Sequence, residues 1–276
     1  VSSVTGSATG GYTADAPAAT IAQALALCTD SKNDTVFMLP GHNEGIGDAQ
    51  LTWNKIGVNL IGLGQGSLKP RLDFDHANAS VDITASGMTI RNLVLLPSVT
   101  AVVIGIDINT LVTDTTFEDI EIRPGEDGAG VDEFQLAFDV KVGCDRTVFR
   151  RIKHRQHASA VGSVACISLT GASDDIAFED CFFDMAGTAL VAPINGLTTL
   201  STGLLFNRCM FVTDAAEPGY EMLTGSTGVA LDCLVFSNHA TLAAALVGDG
   251  IARFRCENIE LAAESGGIIG TASVDD

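Results

Sequence analysis

A six-residue pattern of side-chain types recurs along this chain, in the order apolar, polar, polar, apolar, any residue, apolar. Its seven copies begin 25 to 32 residues apart, at Ile90, Phe117, Phe149, Phe178, Phe206, Leu231 and Cys256, and an earlier copy begins at Val58. Each interval is too short for a strand–helix–strand unit with its loops, and long enough for three short strands with three turns. The repeat predicts an all-β solenoid, a right-handed parallel β-helix formed by a single chain.

Equivalent positions of successive copies carry similar side chains. Neighbouring parallel strands lie about 4.8 Å apart, so equivalent residues of successive coils stack directly above one another. We therefore expect internal stacks of apolar side chains at the first, fourth and sixth positions of the pattern. The first position comprises the residues at which the seven copies begin. The fourth comprises Leu93, Ile120, Ile152, Cys181, Cys209, Leu234 and Ile259, and the sixth ends in Phe183, Phe211 and Phe236.

The two polar positions carry charges that alternate in sign from copy to copy. The second position reads Arg91, Glu118, Arg150, Glu179, and the third reads Asp119, Arg151, Asp180, Arg208. Opposite charges on neighbouring strands contribute roughly 0.2–1 kcal/mol per pair, so this alternation predicts an outward ladder of ion pairs. Asn and Asp at the third position also suit a tight corner, because they tolerate left-handed backbone.

The segments outside the copies complete the predicted fold. Further strand-like runs lie between the copies, at Val102–Ile108, Phe134–Val140 and 164–169. Residues 16–28 predict an amphipathic helix that covers the open N-terminal end of the solenoid. We expect Asp15 or a neighbour to cap this helix, with Pro17 in its first turn. The residues on its apolar face are Ile21, Ala24, Leu25 and Cys28.

These elements divide the chain into three parts. We predict an N-terminal arm with the cap helix at residues 1–34, a parallel β-helix at 35–261 that opens with a strand at 35–39, and a C-terminal tail at 262–276. The first thirty residues lack a basic start followed by an apolar block, so no secretory signal is predicted.

Composition narrows the expected partners. The 34 acidic and 15 basic residues give a net charge of −19, which repels nucleic acid and anionic membranes. Although 46% of residues are hydrophobic, no run reaches the roughly 18 apolar residues of a membrane span. The seven cysteines show neither CxxC nor Cys/His metal spacing, which predicts free, buried thiols. We expect no nucleic-acid partner, no membrane span, no metal and no cofactor.

The coil pattern resembles that of the pectate-lyase-like superfamily of right-handed β-helices, which includes polysaccharide lyases, rhamnogalacturonases and phage tailspikes. The resemblance covers about residues 35–261 and implies the fold more than any function. The opening segment is also similar to that of uncharacterised phage structural proteins. The residues concerned are Gly11, Tyr12 and Thr13, the helix at 19–24, and the stretch 34–42. This second resemblance implies a phage-associated component and supplies no catalytic residue.

Enzymes of that superfamily place paired or triple carboxylates on one strand face, as acid/base groups or around Ca²⁺ with an Arg or Lys nearby. The candidates here are Glu118, Asp119, Glu179 and Asp180, which interleave with Arg150, Arg151 and Arg208. They form either an acidic cleft with basic anchors or a self-neutralising ladder, and we favour the ladder. Asp174 and Asp175 are adjacent, which suits a turn better than an acid/base pair. The acidic loop 124–133 is a solvated loop or a Ca²⁺ or partner site.

One basic cluster stands out in this acidic chain. It comprises Arg146, Arg150, Arg151, Lys153, His154, Arg155 and His157. The cluster binds a phosphate, an anionic glycan or an acidic neighbouring subunit, or it pairs with acidic residues one coil away, which we favour. His154 falls in an apolar column and is interpreted as a hydrogen-bonded core histidine.

No hydrolase elbow, P-loop, HExxH or dinucleotide fingerprint is present, so we assign no catalytic, cofactor-binding or metal-binding residue. The sequence predicts a non-enzymatic virion protein of a bacteriophage, made in the bacterial host cytoplasm: a capsid decoration, head-fibre or tail-associated subunit. Its expected partners are capsid or tail proteins and copies of itself in a homotrimer. The alternatives are a tailspike-like glycosidase or lyase and a non-catalytic module that binds a surface glycan or receptor.

Overall fold

In the computed structural model the chain winds into a parallel β-helix, as the repeat predicts. The structure describes residues 1–7, 9–125, 132–156, 162–187, 189–213, 218–237 and 253–263. Its described strands, numbered in chain order, form three parallel sheets: the first seven coils add a strand to each sheet, and β22 to β25 extend only the first and second sheets.

The strand bounds follow the three sheets. The first sheet contains β1 (Thr35–Met38), β4 (Asn59–Gly62), β7 (Thr89–Arg91), β10 (Thr116–Glu118), β13 (Val148–Arg150), β16 (Ala177–Glu179), β19 (Leu204–Asn207), β22 (Thr227–Leu231) and β24 (Arg253–Glu257). The second contains β2 (Asn43–Ile46), β5 (Arg71–Phe74), β8 (Val94–Pro97), β11 (Glu121–Ile122), β14 (Lys153–Arg155), β17 (Phe182–Met185), β20 (Met210–Thr213), β23 (Leu234–Ser237) and β25 (Glu260–Ala263). The third contains β3 (Leu51–Trp53), β6 (Val81–Ile83), β9 (Val102–Ile108), β12 (Phe134–Val140), β15 (Ala165–Leu169), β18 (Ile194–Gly196) and β21 (Tyr220–Met222).

The predicted aromatic stack forms the centre of the core. Phe117, Phe149, Phe178 and Phe206 occupy matching positions of the first sheet, and all four are fully buried. Their ring centroids are 5.4, 5.4 and 4.8 Å apart, with planes within 14° of parallel. The fourth position is also buried from Leu93 to Cys209. The predicted register is therefore confirmed for the copies from Ile90 to Phe206.

The predicted register is wrong by one residue in the copy that begins at Leu231, whereas the last copy is in register, because Cys256 pairs with Ala230. Ala230, not Leu231, pairs with Phe206, and Val235, not Phe236, pairs with Phe211. The ring of Tyr220 lies 4.0 Å from that of Phe206 and fills the space that a large side chain would take. The fourth position is accordingly Cys233, not Leu234, and it is buried. The earlier copy also shifts, from Val58 to Leu60, which pairs with Ile90.

Left-handed backbone marks the corner between the first and second sheets. The residues there have φ between 51° and 59°; they are Asn92, Asp119, Arg151, Asp180, Arg208, Asp232 and Asn258. Each turn is closed by hydrogen bonds between coils, such as Asp119 N–H to the Arg150 carbonyl at 3.0 Å. The tight corner predicted at the third position is confirmed, and Arg occupies it as well as Asn and Asp.

The N-terminal helix is shorter than predicted. It runs over Ile21–Leu27 and is capped by Thr20, not by Asp15. Thr20 and Gln23 form a reciprocal capping box, and this explains why the helix begins after Pro17. A carboxylate oxygen of Glu44 accepts a hydrogen bond from Ile21 N–H at 3.0 Å, which ties the helix to β2. Within the described residues, no helix is long and apolar enough to cross a membrane.

All seven cysteines are free thiols. Five of them are buried, and Cys28 and Cys256 are half-buried. Cys181, Cys209 and Cys233 occupy the fourth position in three consecutive coils, where each acts as a small apolar side chain.

Candidate functional site

Three aspartates stack on the outer face of the third sheet, one in each of three consecutive coils. Asp82 pairs with Asp107 and Asp107 with Asp139 in the parallel register of β6, β9 and β12. Each lies between two buried apolar residues of its strand, so the alternation of the strand turns the carboxylate outward. We call these three residues the carboxylate row.

Lys141 pairs with part of the carboxylate row. Its Nζ forms an ion pair with Asp139 and lies 3.4 Å from Oδ1 of Asp107. From the next coil, Thr170 donates its Oγ1–H to Oδ1 of Asp139 at 2.5 Å. Asp139 is only 2% exposed, so its two oxygens are engaged inside the chain rather than by solvent.

The carboxyl group of Asp107 has a raised pKa. Burial raises it most, and the nearby charges of Asp139 and Asp82 add to the effect against the opposing ammonium of Lys141. The pKa of Lys141 is raised too: burial lowers it, but the hydrogen bond to Asp139 and the charge of Asp107 outweigh that loss. Lys141 therefore stabilises mainly the charged form of Asp139. The carboxyl group of Asp107 keeps a raised pKa and so an increased affinity for a proton.

This arrangement has a defined chemical capacity. Acid–base cleavage of a glycosidic bond uses a carboxyl group of raised pKa together with a second carboxylate, and Asp107 beside Asp139 shares these two features. The side chain of Asp107 is 20% exposed and that of Asp139 is 3% exposed, so solvent reaches Asp107 first. Among the described residues, no group of three or more His, Cys, Asp or Glu side chains has a geometry that holds a metal ion.

The charges singled out in the sequence form a ladder along the corner between the first and second sheets. Arg151 Nε lies 2.5 Å from Oδ1 of Asp119, and the same guanidinium also bonds Glu118. The other pairs are Arg91 with Glu118 and Asp119 at 4.0 and 3.8 Å, Arg150 with Glu179 at 2.7 Å, and Arg208 with Asp180 at 2.6 Å. The interpretation as a self-neutralising ladder is confirmed, and we call this feature the corner ladder.

The other acidic candidates are structural where they are described. Asp174 accepts hydrogen bonds from Thr202 N–H and Oγ1–H at 3.0 and 2.7 Å, and Asp175 has φ of 58°, so this pair forms the predicted turn. Of the loop 124–133, residues 126–131 lie outside the described part of the chain. Glu133 is buried and accepts hydrogen bonds from Gly162 N–H at 2.6 Å and Ser163 Oγ–H at 3.2 Å.

The basic cluster of the sequence is not one site. Arg146 pairs with Asp114 at 2.6 Å, and Arg150 and Arg151 belong to the corner ladder, so pairing with acids one coil away is confirmed for these three. Arg155 lies over the ring of Phe182 at 5.6 Å. His157 lies outside the described residues.

His154 is buried as predicted, but the expected hydrogen bonding is not complete. Its Nδ1 has no hydrogen-bond partner within the described residues. Burial lowers its pKa to about 4.

Reasoning from the sequence missed the carboxylate row. The signal was present as a triplet of apolar residue, Asp and apolar residue, repeated at Val81–Ile83, at 106–108 and at 138–140. The second and third triplets lie in the strand-like runs Val102–Ile108 and Phe134–Val140, which were assigned from their apolar content alone, and the first lies in none of the runs identified in the sequence. Aligning the three triplets in register would have stacked the three aspartates.

Comparisons with known proteins identify the architecture. No protein-family model and no curated protein matches the chain. Among solved structures, Geobacillus virus E2 ORF18 is similar over 96% of this chain and 62% of its own, with 11% identity and a TM-score of 0.52. A rhamnogalacturonan lyase matches 94% of this chain and 60% of its own, with 13% identity and a TM-score of 0.47. The A-module of the Azotobacter vinelandii mannuronan C-5 epimerase AlgE6 matches 87% of this chain and 92% of its own, with 10% identity and a TM-score of 0.31.

The chain thus spans less than two thirds of the length of the first two of these proteins. At 11% identity, the likeness to the viral protein concerns the fold and not the activity. What it shows is that this chain has a parallel β-helix fold.

Proposed function

We propose that the chain is a non-enzymatic structural component of a bacteriophage particle, as a capsid decoration, a head fibre or a tail-associated subunit. The observation that carries this proposal is the corner ladder, in which outward arginines and carboxylates of consecutive coils bind one another. A surface whose charges are paired within the chain is evidence for a stiff scaffold rather than for an open catalytic cleft. The aromatic stack beneath it stiffens the same coils.

Two further observations support a phage origin. The opening segment is similar to that of phage structural proteins, and the fold is shared with the protein of Geobacillus virus E2. In this proposal the partners are capsid or tail proteins and copies of the chain in a homotrimer, and the place of action is the virion.

Immunogold electron microscopy tests the proposal directly. Antibodies against the purified chain should label particles from an infected lysate of the source at one repeated position. A lysate of uninfected cells is the control. Particles that carry no label, in a lysate that contains the polypeptide, would overturn the structural role.

The carboxylate row supports a second candidate, a glycosidase or lyase acting on a polysaccharide. The supporting observation is the raised pKa of Asp107 beside the paired Asp139. Incubation with capsular and pectic polysaccharides, read by new reducing ends and by unsaturated products, distinguishes the two candidates. Turnover that Asp107→Asn abolishes, and that the exposed control Asp48→Asn retains, would establish the enzyme and end the non-enzymatic proposal. Saturable binding without turnover would indicate a glycan-binding module.

A further inference from the structure

A row of exposed apolar side chains lies along the corner between the third and first sheets. Its members are Leu111, Val142 and Leu200, which are 72%, 47% and 46% exposed. They belong to the turns that follow β9, β12 and β18. We call these three residues the apolar stripe. Leaving such side chains in water is unfavourable, and an exposed apolar patch rimmed by polar residues is a common mark of a binding site.

Hydrogen bonds between coils keep these turns in one register. Leu111 N–H donates to the Val142 carbonyl at 2.9 Å, and Cys144 N–H donates to Oγ of Ser173 at 3.0 Å. Ser173 N–H donates in turn to Oγ of Ser201 at 3.3 Å. The residues that immediately precede Cys144, Ser173 and Ser201 therefore form one row, and they are Gly143, Ala172 and Leu200. With strands about 4.8 Å apart, the apolar stripe crosses four consecutive coils and extends over about 14 Å.

The fold alone does not account for the two leucines. Leu111 has φ of 65°, a left-handed conformation that its Cβ makes unfavourable, yet most of its side chain lies outside the core. In the next coil the backbone is left-handed at Gly143 as well, with φ of 72°, and there glycine avoids the cost. A Cβ on Gly143 would lie 2.7 Å from Cδ2 of Leu111, and a Cβ on Gly225 would lie 2.8 Å from Cδ1 of Leu200. Each leucine thus packs over a glycine of the next coil, which fixes its place on the surface.

Aspartates border the apolar stripe on both sides. On the side of the third sheet lies the carboxylate row, with Lys141 beside it. On the side of the first sheet lie the charged residues of the same turns: Asp114, Asp145, Asp174, Asp175 and Arg146. These two groups, which we call the acidic flanks, hold seven carboxylates and two cations, so their net charge is −5. Both cations are already bound to aspartates of the flanks, Lys141 to Asp139 and Arg146 to Asp114.

Charge decides which occupant fits this surface. A second copy of the chain, docked by the same surface, would set acidic flanks against acidic flanks, and like charges across an interface repel one another. A partner with apolar side chains between two rows of lysines or arginines would cover the apolar stripe and neutralise both flanks. We propose that the apolar stripe and the acidic flanks bind an amphipathic segment of another protein with this chemistry. The inference deepens the proposed structural role and rests on it, because it names the face that meets a neighbouring protein and the chemistry of that neighbour.

Fluorescence anisotropy with labelled synthetic peptides tests this surface on the whole chain. The probe is a helical peptide with one row of leucines between two rows of lysines, and it should bind saturably. A peptide with glutamates in place of the lysines should not bind. A peptide that keeps the lysines but has serines in place of the leucines should bind about tenfold more weakly or less, because it buries no apolar surface.

A pair of substitutions tests the apolar stripe. Leu111→Ser combined with Leu200→Ser should weaken binding of the leucine–lysine peptide about tenfold or more. Both side chains are exposed, so the double variant should still fold, which circular dichroism checks. The matched control is Leu68→Ser, in the turn before β5, where the side chain is 57% exposed and lies outside the stripe. This control should leave the affinity unchanged.

A second pair tests the acidic flanks. Asp145→Asn combined with Asp174→Asn removes two charges but keeps the side-chain oxygens that accept hydrogen bonds in these turns. This variant should weaken binding severalfold, and its affinity should depend less on salt. Asp15→Asn combined with Asp48→Asn removes the same charge at exposed positions elsewhere and should have a smaller effect.

The wild-type chain provides a measurement that needs no variant. The leucine–lysine peptide, carrying a photoreactive benzophenone, should cross-link to residues 109–114 and 197–202, which mass spectrometry locates. Cross-links confined to other parts of the chain would overturn the proposal. So would equal binding of the glutamate peptide, or an equal loss of affinity in Leu68→Ser. A wild-type oligomer that the double leucine variant dissociates would assign the apolar stripe to a second copy and overturn the proposal as well.

This inference and the proposed structural role fail separately. Absence of saturable peptide binding, in a chain that sediments with phage particles, would overturn the proposed surface and leave the structural role. Peptide binding by a chain that never sediments with particles would overturn the structural role alone.

Discussion

The ring of Phe178 lies 5.4 Å from the ring of Phe149, and the two planes are within 6° of parallel. Their strands, β13 and β16, pair in register, so each ring stands above its counterpart in the preceding coil. The same register brings Arg150 beside Glu179 on the outside of the coil, with 2.7 Å between Nε and Oε2. One alignment of two strands thus stacks rings inside the solenoid and pairs charges outside it.

Replacing Phe178 tests the internal stack. Phe178→Asp is expected to prevent folding, because it places a charge in the apolar column. Phe178→Ala is expected to fold but to lose about 3–5 kcal/mol of the free energy of unfolding, through the cavity it leaves. Circular dichroism and chemical denaturation measure both. A soluble Phe178→Asp variant with unchanged melting would mean that the register is wrong.

The left-handed corner is tested at Asp180, where φ is 54°. Asp180→Gly and Asp180→Val both remove the ion pair with Arg208. The difference in stability between the two variants therefore reports the cost of placing a side chain on left-handed backbone. The valine variant should be less stable than the glycine variant by about 1–2 kcal/mol, because a side chain with Cβ resists left-handed backbone. Chemical denaturation gives the two values. Equal stabilities would contradict the corner geometry.

His154 should make the fold sensitive to acid. Its pKa is lowered to about 4 because the ring is fully buried, whereas a histidine in the unfolded chain titrates near 6.5. Between these values the unfolded chain takes up a proton at this position and the folded chain does not, so stability falls as the pH is lowered through that window.

The matched variant is His154→Phe, which copies Phe183 of the next coil. Relative to this variant, the wild type should lose on the order of 3 kcal/mol of unfolding free energy between pH 7 and pH 4. Denaturation curves over this range provide the measurement. Parallel pH profiles for the two proteins would show that His154 is not buried in its neutral form.

Thiol reactivity should follow burial. Burial raises the pKa of the half-buried Cys28 thiol, and it raises the pKa of the fully buried Cys166 thiol well above its ordinary value. A thiol reagent at pH 8 should therefore label Cys28 in the native protein and reach Cys166 only after denaturation, because the accessible thiolate is the reacting form. Peptide mass spectrometry resolves the two sites. Labelling of native Cys166 as fast as Cys28 would refute this part of the core.

The sequence predicts the register of the solenoid correctly in the copies that have both a large side chain at the first position and a corner residue at the third. From Phe117 to Phe206, a ring at the first position and an Asp or Arg at the third define the register together. The register slips at Ala230, because a small residue leads that copy and the room is taken by Tyr220 from another sheet. Tyr220 and Ala230 belong to different sheets, so the way one fills the space left by the other cannot be seen in the pattern of either segment alone.

The candidate sites were harder to predict for a related reason. The corner ladder was visible because its charges belong to the repeat itself. The carboxylate row takes one residue from each of β6, β9 and β12, so it forms only when three coils are stacked in register. The burial that shifts the pKa of Asp107 likewise depends on packing between coils.

The most direct test of the proposed role is density-gradient sedimentation of an infected lysate from the source, with mass spectrometry of each fraction. The account predicts that this polypeptide bands with the particles at a fixed ratio to the major capsid protein. The ratio would then separate a capsid decoration, present in many copies, from a tail part, present in few. Recovery of the polypeptide only in the soluble fraction would contradict the structural role.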